Sequence, residues 1–117
     1  MVNSGIEETV FHNFKEMVGV DFIGELIDAF LDDSPKLITD LQKSLVGKDI
    51  EAFRRSAHAL KSNSGSFGAQ MLYAQAKELE MLAREKKLDS AGEKIKTLMN
   101  EYTKVEQILK KLRHDFE

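Results

Sequence analysis

An imidazole bordered by cations and small side chains can serve as a nucleophile, and His58 has such neighbours. It lies in the run Ala57-His58-Ala59-Leu60-Lys61-Ser62-Asn63-Ser64-Gly65-Ser66-Phe67-Gly68-Ala69. At about 100° per residue on a helix, Phe53, Leu60, Ser64 and Phe67 fall roughly opposite His58. Arg54, Lys61, Ser62 and Gly65 fall within about 60° of it. The predicted helix buries its far side and presents a titratable ring to solvent beside positive charge and little bulk. Nucleophilic use of that ring needs one nitrogen free and the other held by a hydrogen bond that sets the tautomer. Lys61, one turn on, would stand beside any anion approaching the ring, and an ammonium stabilises transferred phosphoryl charge. Ser62 and Gly65 keep the helix surface low, so that a large partner can descend onto the imidazole.

Other chemistries fit poorly. The chain has no Cys, and Ser62, Ser64 and Ser66 have no second nearby His to make an acyl-transfer set. No His or carboxylate stands at i+4 from His58, which argues against a helical metal site. Gly65-Ser66-Phe67-Gly68 lacks the spacing and the Lys of a phosphate-binding loop. His12 and His114 lack the cations and small residues that surround His58 and read as incidental surface residues.

The 117 residues suffice for one domain with one core, spanning residues 1–117. With 17 Lys plus Arg against 20 Asp plus Glu, the net charge is −3, which disfavours non-specific nucleic-acid binding. Absent Cys fits a reducing compartment. No apolar run approaches the length of about 18 residues that suggests a membrane span, and no signal-peptide core follows Met1. A cytoplasmic protein with no membrane insertion is the expectation.

A single Pro and the lack of alternating β-branched runs predict an all-α domain. Ser4-Gly5-Ile6-Glu7 reads as a capping box opening a short helix with Ile6, Val10, Phe14 and Met17 inward and Gly19 at its end. Asp21 is placed to cap a second helix with Phe22, Leu26, Ile27, Phe30 and Leu31 on one face, continued by Leu37, Ile38, Leu41 and Leu45. Asp33-Ser34-Pro35 is either a fresh helix start or a step within one long helix. Asp49 caps the His58 helix, whose stripe is Ile50, Phe53, Ala57, Leu60, Ser64 and Phe67, and Gly68 suits a left-handed stop. A helix over about 69–86 turns Leu72, Ala76, Leu79 and Leu82 inward. Ser90-Ala91-Gly92-Glu93 opens a last one carrying Ile95, Leu98, Met99, Tyr102, Val105, Ile108, Leu109 and Leu112. Short connections between four long segments favour an antiparallel up-down four-helix bundle with a short extra N-terminal helix. The phenylalanines at 11, 14, 22, 30, 53 and 67 fall on helical stripes and are most simply core, the alternative being that a few surround a docking surface near His58.

The stretch from His58 to Ala69 resembles the signature of histidine-containing phosphotransfer (HPt) domains, His-x-Leu/Ile-Lys-Gly followed by small residues and Gly-Ala. The resemblance extends to Phe30-Leu31-Asp32-Asp33-Ser34-Pro35 with Leu41, to Lys48-Asp49, and to Leu79-Glu80 with Ala83-Arg84. It implies a phosphorelay intermediate that takes a phosphoryl group onto His58 from a receiver-domain aspartate and passes it to another receiver. It further implies a monomer without kinase activity or a cofactor of its own, the Mg²⁺ belonging to the receiver; a hybrid sensor histidine kinase is a further candidate partner. Lys61 matches the family's phosphate-side lysine. Glu80 matches a position whose Gln or Glu accepts a hydrogen bond from the ring, although an ordinary i+4 pairing with Arg84 explains it nearly as well. Arg84 would add positive field, and Arg54, Gly65 and Gly68 would belong to the docking surface. Ser62 departs from the pattern, standing where Gly is usual. Two other readings remain: the substrate domain of a chemotaxis-type histidine kinase, and a helical adaptor that binds receivers without phosphotransfer.

Overall fold

The computed structural model describes residues 5–114. Five α-helices follow one another: α1 (Glu8–Val18), α2 (Val20–Val46), α3 (Ile50–Ser66), α4 (Gln70–Arg84) and α5 (Ala91–His114), with a 3₁₀ turn at Leu88–Ser90 before the last. Among the described residues there is no β-strand. α3 packs on α2 and α4, α5 packs on the same two helices, and α1 lies against α2 and α3. No helix among the described residues is long and apolar enough to cross a membrane.

The core between these helices consists of side chains at helical spacing. Phe53 and Leu60 of α3 are fully buried with Ile23, Ile27 and Leu41 of α2, Leu72 and Leu79 of α4, and Leu98, Val105 and Leu109 of α5. Each such side chain contributes about 2 kcal/mol by leaving water, so no single helix is stable without its neighbours. Phe67, at the end of α3, joins α3 to α1 and α2: its ring lies 5.1 Å from those of Phe14 and Phe30 and 6.4 Å from that of Phe11. Phe30 continues the cluster to Tyr102 of α5. The Tyr102 hydroxyl is held protonated well above its usual range, first by burial and then by the charge of Glu106.

Several helix limits differ from expectation for identifiable reasons. Glu7, not Ser4, caps α1 through its side chain, which accepts from the Val10 N–H at 2.8 Å; Ser4 lies outside the described residues. Gly19 at φ 91° both ends α1 and precedes α2, leaving Asp21 in the first turn of α2 rather than at its cap. Pro35 lies inside α2, so the Asp33-Ser34-Pro35 step belongs to one continuous helix. The inward phase of α2 runs through Ile23 rather than Phe22, which is 60 % exposed. Met17 and Met99 are likewise exposed rather than core. α4 stops at Arg84 instead of continuing to residue 86, where Lys86 takes a left-handed φ of 58°. Asp49 caps α3 as expected, accepting from the Ala52 N–H at 3.1 Å.

Candidate functional site

His58 stands in the middle of α3 with 53 % of its side chain exposed. Its backbone is fixed by neighbours on the buried side of the same helix, since Ala57 and Leu60 are wholly inaccessible. The imidazole Nδ1 lies 2.8 Å from Oε2 of Glu80 on α4. That carboxylate is only 3 % exposed. Its other oxygen, Oε1, receives Lys61 Nζ at 2.8 Å, and Arg84 Nη2 reaches Oε2 at 3.3 Å. Glu80 thus draws one ring nitrogen, one ammonium and one guanidinium from two helices onto a single buried carboxylate.

A buried carboxylate is ordinarily pushed toward the neutral acid. Burial does raise the Glu80 carboxyl, but hydrogen bonds from Lys61 and His58, and the charges behind them, outweigh it and hold it below the ordinary value of 4.5. An ionised Glu80 accepts the Nδ1–H of His58, so the proton resides on Nδ1 and Nε2 keeps its lone pair at the exposed edge of the ring. A depressed folded-state value stabilises the protein above pH 4.5, and that stability is lost as pH falls through the folded-state value. We therefore expect the stability difference between the native chain and Glu80→Gln to shrink as pH falls from 7 towards 3. Urea midpoints at a series of pH values measure it; parallel curves would show that Glu80 is not held ionised by its partners.

The other residues singled out in the sequence occupy different settings. Ser62 is exposed on the His58 face. Arg54 is paired with Glu51 one turn earlier, so its charge is partly compensated. Gly65 is not open space: a Cβ added there would lie 3.1 Å from Cδ2 of Tyr73, whose ring crosses from α4 over the gap. Tyr73 is the residue of this face that sequence reasoning missed, because no rule of spacing pairs positions on different helices. Gly68 corrects the expectation for the docking surface. It is buried at φ 77°, its carbonyl accepting from the Glu7 N–H at 2.7 Å, and it joins α3 to the start of α1. His12 is exposed, 3.7 Å from Glu16. Beside α3 a groove of about 160 Å³ runs between α2 and α3, with Leu26, Ala29, Asp33, Asn63 and Ser66 among its lining residues. Among the described residues no cluster of His, Asp or Glu has the makings of a metal site.

An exposed imidazole with one nitrogen held by a buried anion and the other free is fitted to accept a group on the free nitrogen. A family model for the Hpt domain matches residues 25–114, from α2 to the end of α5. The chain belongs to the Hpt family. Its structure is similar to the crystal structure of histidine-containing phosphotransfer protein B (HptB) from Pseudomonas aeruginosa PAO1, with a TM-score of 0.91 and 30 % sequence identity over 97 % of each chain. No match is found among curated proteins. Membership makes the all-helical chain a histidine phosphotransfer intermediate of a phosphorelay, a type of module that passes phosphoryl groups in two-component signalling.

Proposed function

We propose that His58 Nε2 is the phosphoacceptor of this Hpt domain, taking the phosphoryl group from the aspartyl phosphate of one receiver domain and giving it to the aspartate of another. The observation that carries this reading is the pairing of Nδ1 with the buried Glu80 carboxylate on a ring that is otherwise more than half exposed. In the forward step the Nε2 lone pair forms the N–P bond as the P–O bond to the receiver's aspartate breaks, and the aspartate leaves as a carboxylate with the bonding electrons. The ring becomes a phosphorylated imidazolium, because Nδ1 keeps its proton. Glu80, already ionised and already in place, offsets the new positive charge without reorganising. Transfer onward reverses these events at a second aspartate.

Lys61 supplies charge toward the phosphoryl oxygens, and Ser62 offers them a hydroxyl where Gly is usual. Docking uses the face around Ser62, with Tyr73 covering Gly65, Arg54 at its edge and the groove beside α2 as apolar area. The fold that supports this is an antiparallel up-down bundle of the four long helices, with α1 as the short extra helix and residues 1–117 forming one domain. The domain acts as a monomer, in the cytoplasm, with no kinase activity and no cofactor of its own; the Mg²⁺ of the reaction belongs to the receiver. A hybrid sensor histidine kinase is a further partner consistent with this role.

Incubation with a receiver carrying radiolabelled aspartyl phosphate tests the reading. The expected product is the Hpt chain bearing acid-labile, base-stable phosphate, without added ATP. Labelling only by ATP and a histidine-kinase ATP-binding domain would instead support a kinase-substrate module. Receiver binding without any labelling would favour an adaptor.

A further inference from the structure

Lys61 has two claims on it. In the resting site its ammonium is tied to Glu80 Oε1 at 2.8 Å and its side chain is only 20 % exposed. A phosphoryl group on His58 would form at Nε2, the ring nitrogen that Glu80 does not hold, so a Lys61 ammonium drawn to its oxygens loosens its own hold on Glu80. Removing one partner from a buried ion pair is strongly unfavourable when the remaining charge has nothing else to pair with. Glu80 does have something else. Arg84, one turn along α4, contacts Oε2 at 3.3 Å while 63 % of its side chain remains in solvent. Its guanidinium has several donors and can take up a carboxylate oxygen that Lys61 vacates.

Resting on His58 as the phosphoacceptor, we propose that Arg84 is a positioning residue that holds the Glu80 carboxylate while Lys61 moves from Glu80 to the phosphoryl group. Arg84 then acts on transfer through Glu80 and not through its own field at the phosphorus. A carboxylate relieved of Lys61 still faces the positive ring of phosphohistidine and the guanidinium, so it stays ionised and keeps the ring oriented. Without Arg84, Lys61 is the sole ammonium or guanidinium contact on Glu80 among the described residues, and its release leaves the carboxylate to the ring.

The test uses phosphoramidate as a small donor, so that no receiver interface is involved. Nε2 forms its bond to phosphorus as the donor's P–N bond breaks and ammonia departs. Initial labelling rates are compared for the native chain, Arg84→Ala, Glu80→Gln and the double variant. Arg84→Ala is expected to slow labelling about fivefold, a modest loss because the 3.3 Å contact is made by a side chain largely in solvent, with Arg84→Lys recovering part of the rate. In the Glu80→Gln background, where no carboxylate ties Lys61, the same substitution is expected to change the rate less than twofold. An equal loss in both backgrounds would overturn the proposal, because it would show a direct field or a general effect on α4. ¹⁵N spectra of the lysine ammonium and arginine guanidinium groups provide a second reading that needs no variant. On labelling, the Lys61 signal is expected to shift and the Arg84 signal to stay in its Glu80-bound position; the reverse would overturn the proposal. Failure of the native chain to take up label at His58 would reject the phosphoacceptor reading itself, which is a distinguishable result.

Discussion

His58→Gln is expected to take up no phosphate from a phosphorylated receiver, while the native chain is labelled under the same conditions. The substitution removes the only nitrogen that both carries a lone pair and faces outward from this part of α3. Glutamine is a demanding replacement because it preserves much else. Its amide can donate to Glu80 in place of the Nδ1–H, and the half-exposed site leaves little packing to lose. Stability should therefore change by no more than about 1 kcal/mol, as is usual for substitutions away from the core. Receiver binding should persist, since Lys61, Ser62 and the Tyr73 ring over Gly65 remain. Loss of label with retained fold and binding assigns the chemistry to the ring. Label retained on the variant would place the acceptor elsewhere, and His12 and His114 would be the residues to replace next.

The exposure of His58 was legible from α3 alone because a 17-residue helix with one clear apolar stripe has only one solvent face. Phe53, Ala57, Leu60 and Ser64 are buried as their spacing demands. The cap at Asp49 and the left-handed stop at Gly68 were legible for a similar reason, since each is a local backbone requirement met by a residue type. The phase of α2 was harder. Phe22 and Ile23 are adjacent apolar residues about 100° apart, and either could face inward on the helix considered alone. Contact with the rest of the core selects Ile23, and the ring of Phe22 is left in solvent. The same ambiguity left Pro35 as a start or an interior position, because proline tolerates the first turn and a supported helix can absorb it further in.

Within the site, what depends on one helix was readable and what joins two was not. Periodicity placed Lys61 on the His58 face, yet its ammonium turns to Glu80 on α4. Glu80 was found through family resemblance. A physical signal was also present, since a carboxylate next to Leu79 and one turn past Ala76 sits at the margin of the buried stripe and must find partners. The two explanations weighed for Glu80, a partner for the ring or an i+4 partner for Arg84, prove compatible because one carboxylate accepts from both. Gly65 shows the limit most plainly. Its lack of a side chain suggested clearance for a docking protein, whereas Tyr73 from the next helix fills the nearest part of that space.

Gly68→Ala is expected to be the most destabilising of the glycine-to-alanine changes at positions 19, 47 and 68, and to act on the fold rather than on docking. Gly47 has a right-handed backbone, φ −78°, and its added Cβ would come no nearer than 3.4 Å to the Lys43 carbonyl, so alanine there should be close to neutral. Gly19 has φ 91° and ψ 149°, a backbone region nearly reserved for glycine, but open space around it, so alanine costs only a backbone term of about 2 kcal/mol. Gly68 combines φ 77° with a Cβ position 2.8 Å from the Glu7 carbonyl oxygen and 3.0 Å from Val10 Cβ. Backbone cannot yield as a flexible side chain can, so α1 must be displaced, loosening Phe11 and Phe14 against Phe67. Left-handed strain of about 1 kcal/mol and overpacking of about 2 kcal/mol together predict a loss of about 3 kcal/mol, or roughly 10 °C in melting temperature. Thermal and urea unfolding of the three variants measure the series. A Gly68→Ala chain no less stable than Gly19→Ala would mean that α1 yields at no cost and is not part of the folded unit. A Gly68→Ala chain of native stability that nevertheless failed to bind receivers would return this glycine to the docking surface, from which its burial removes it.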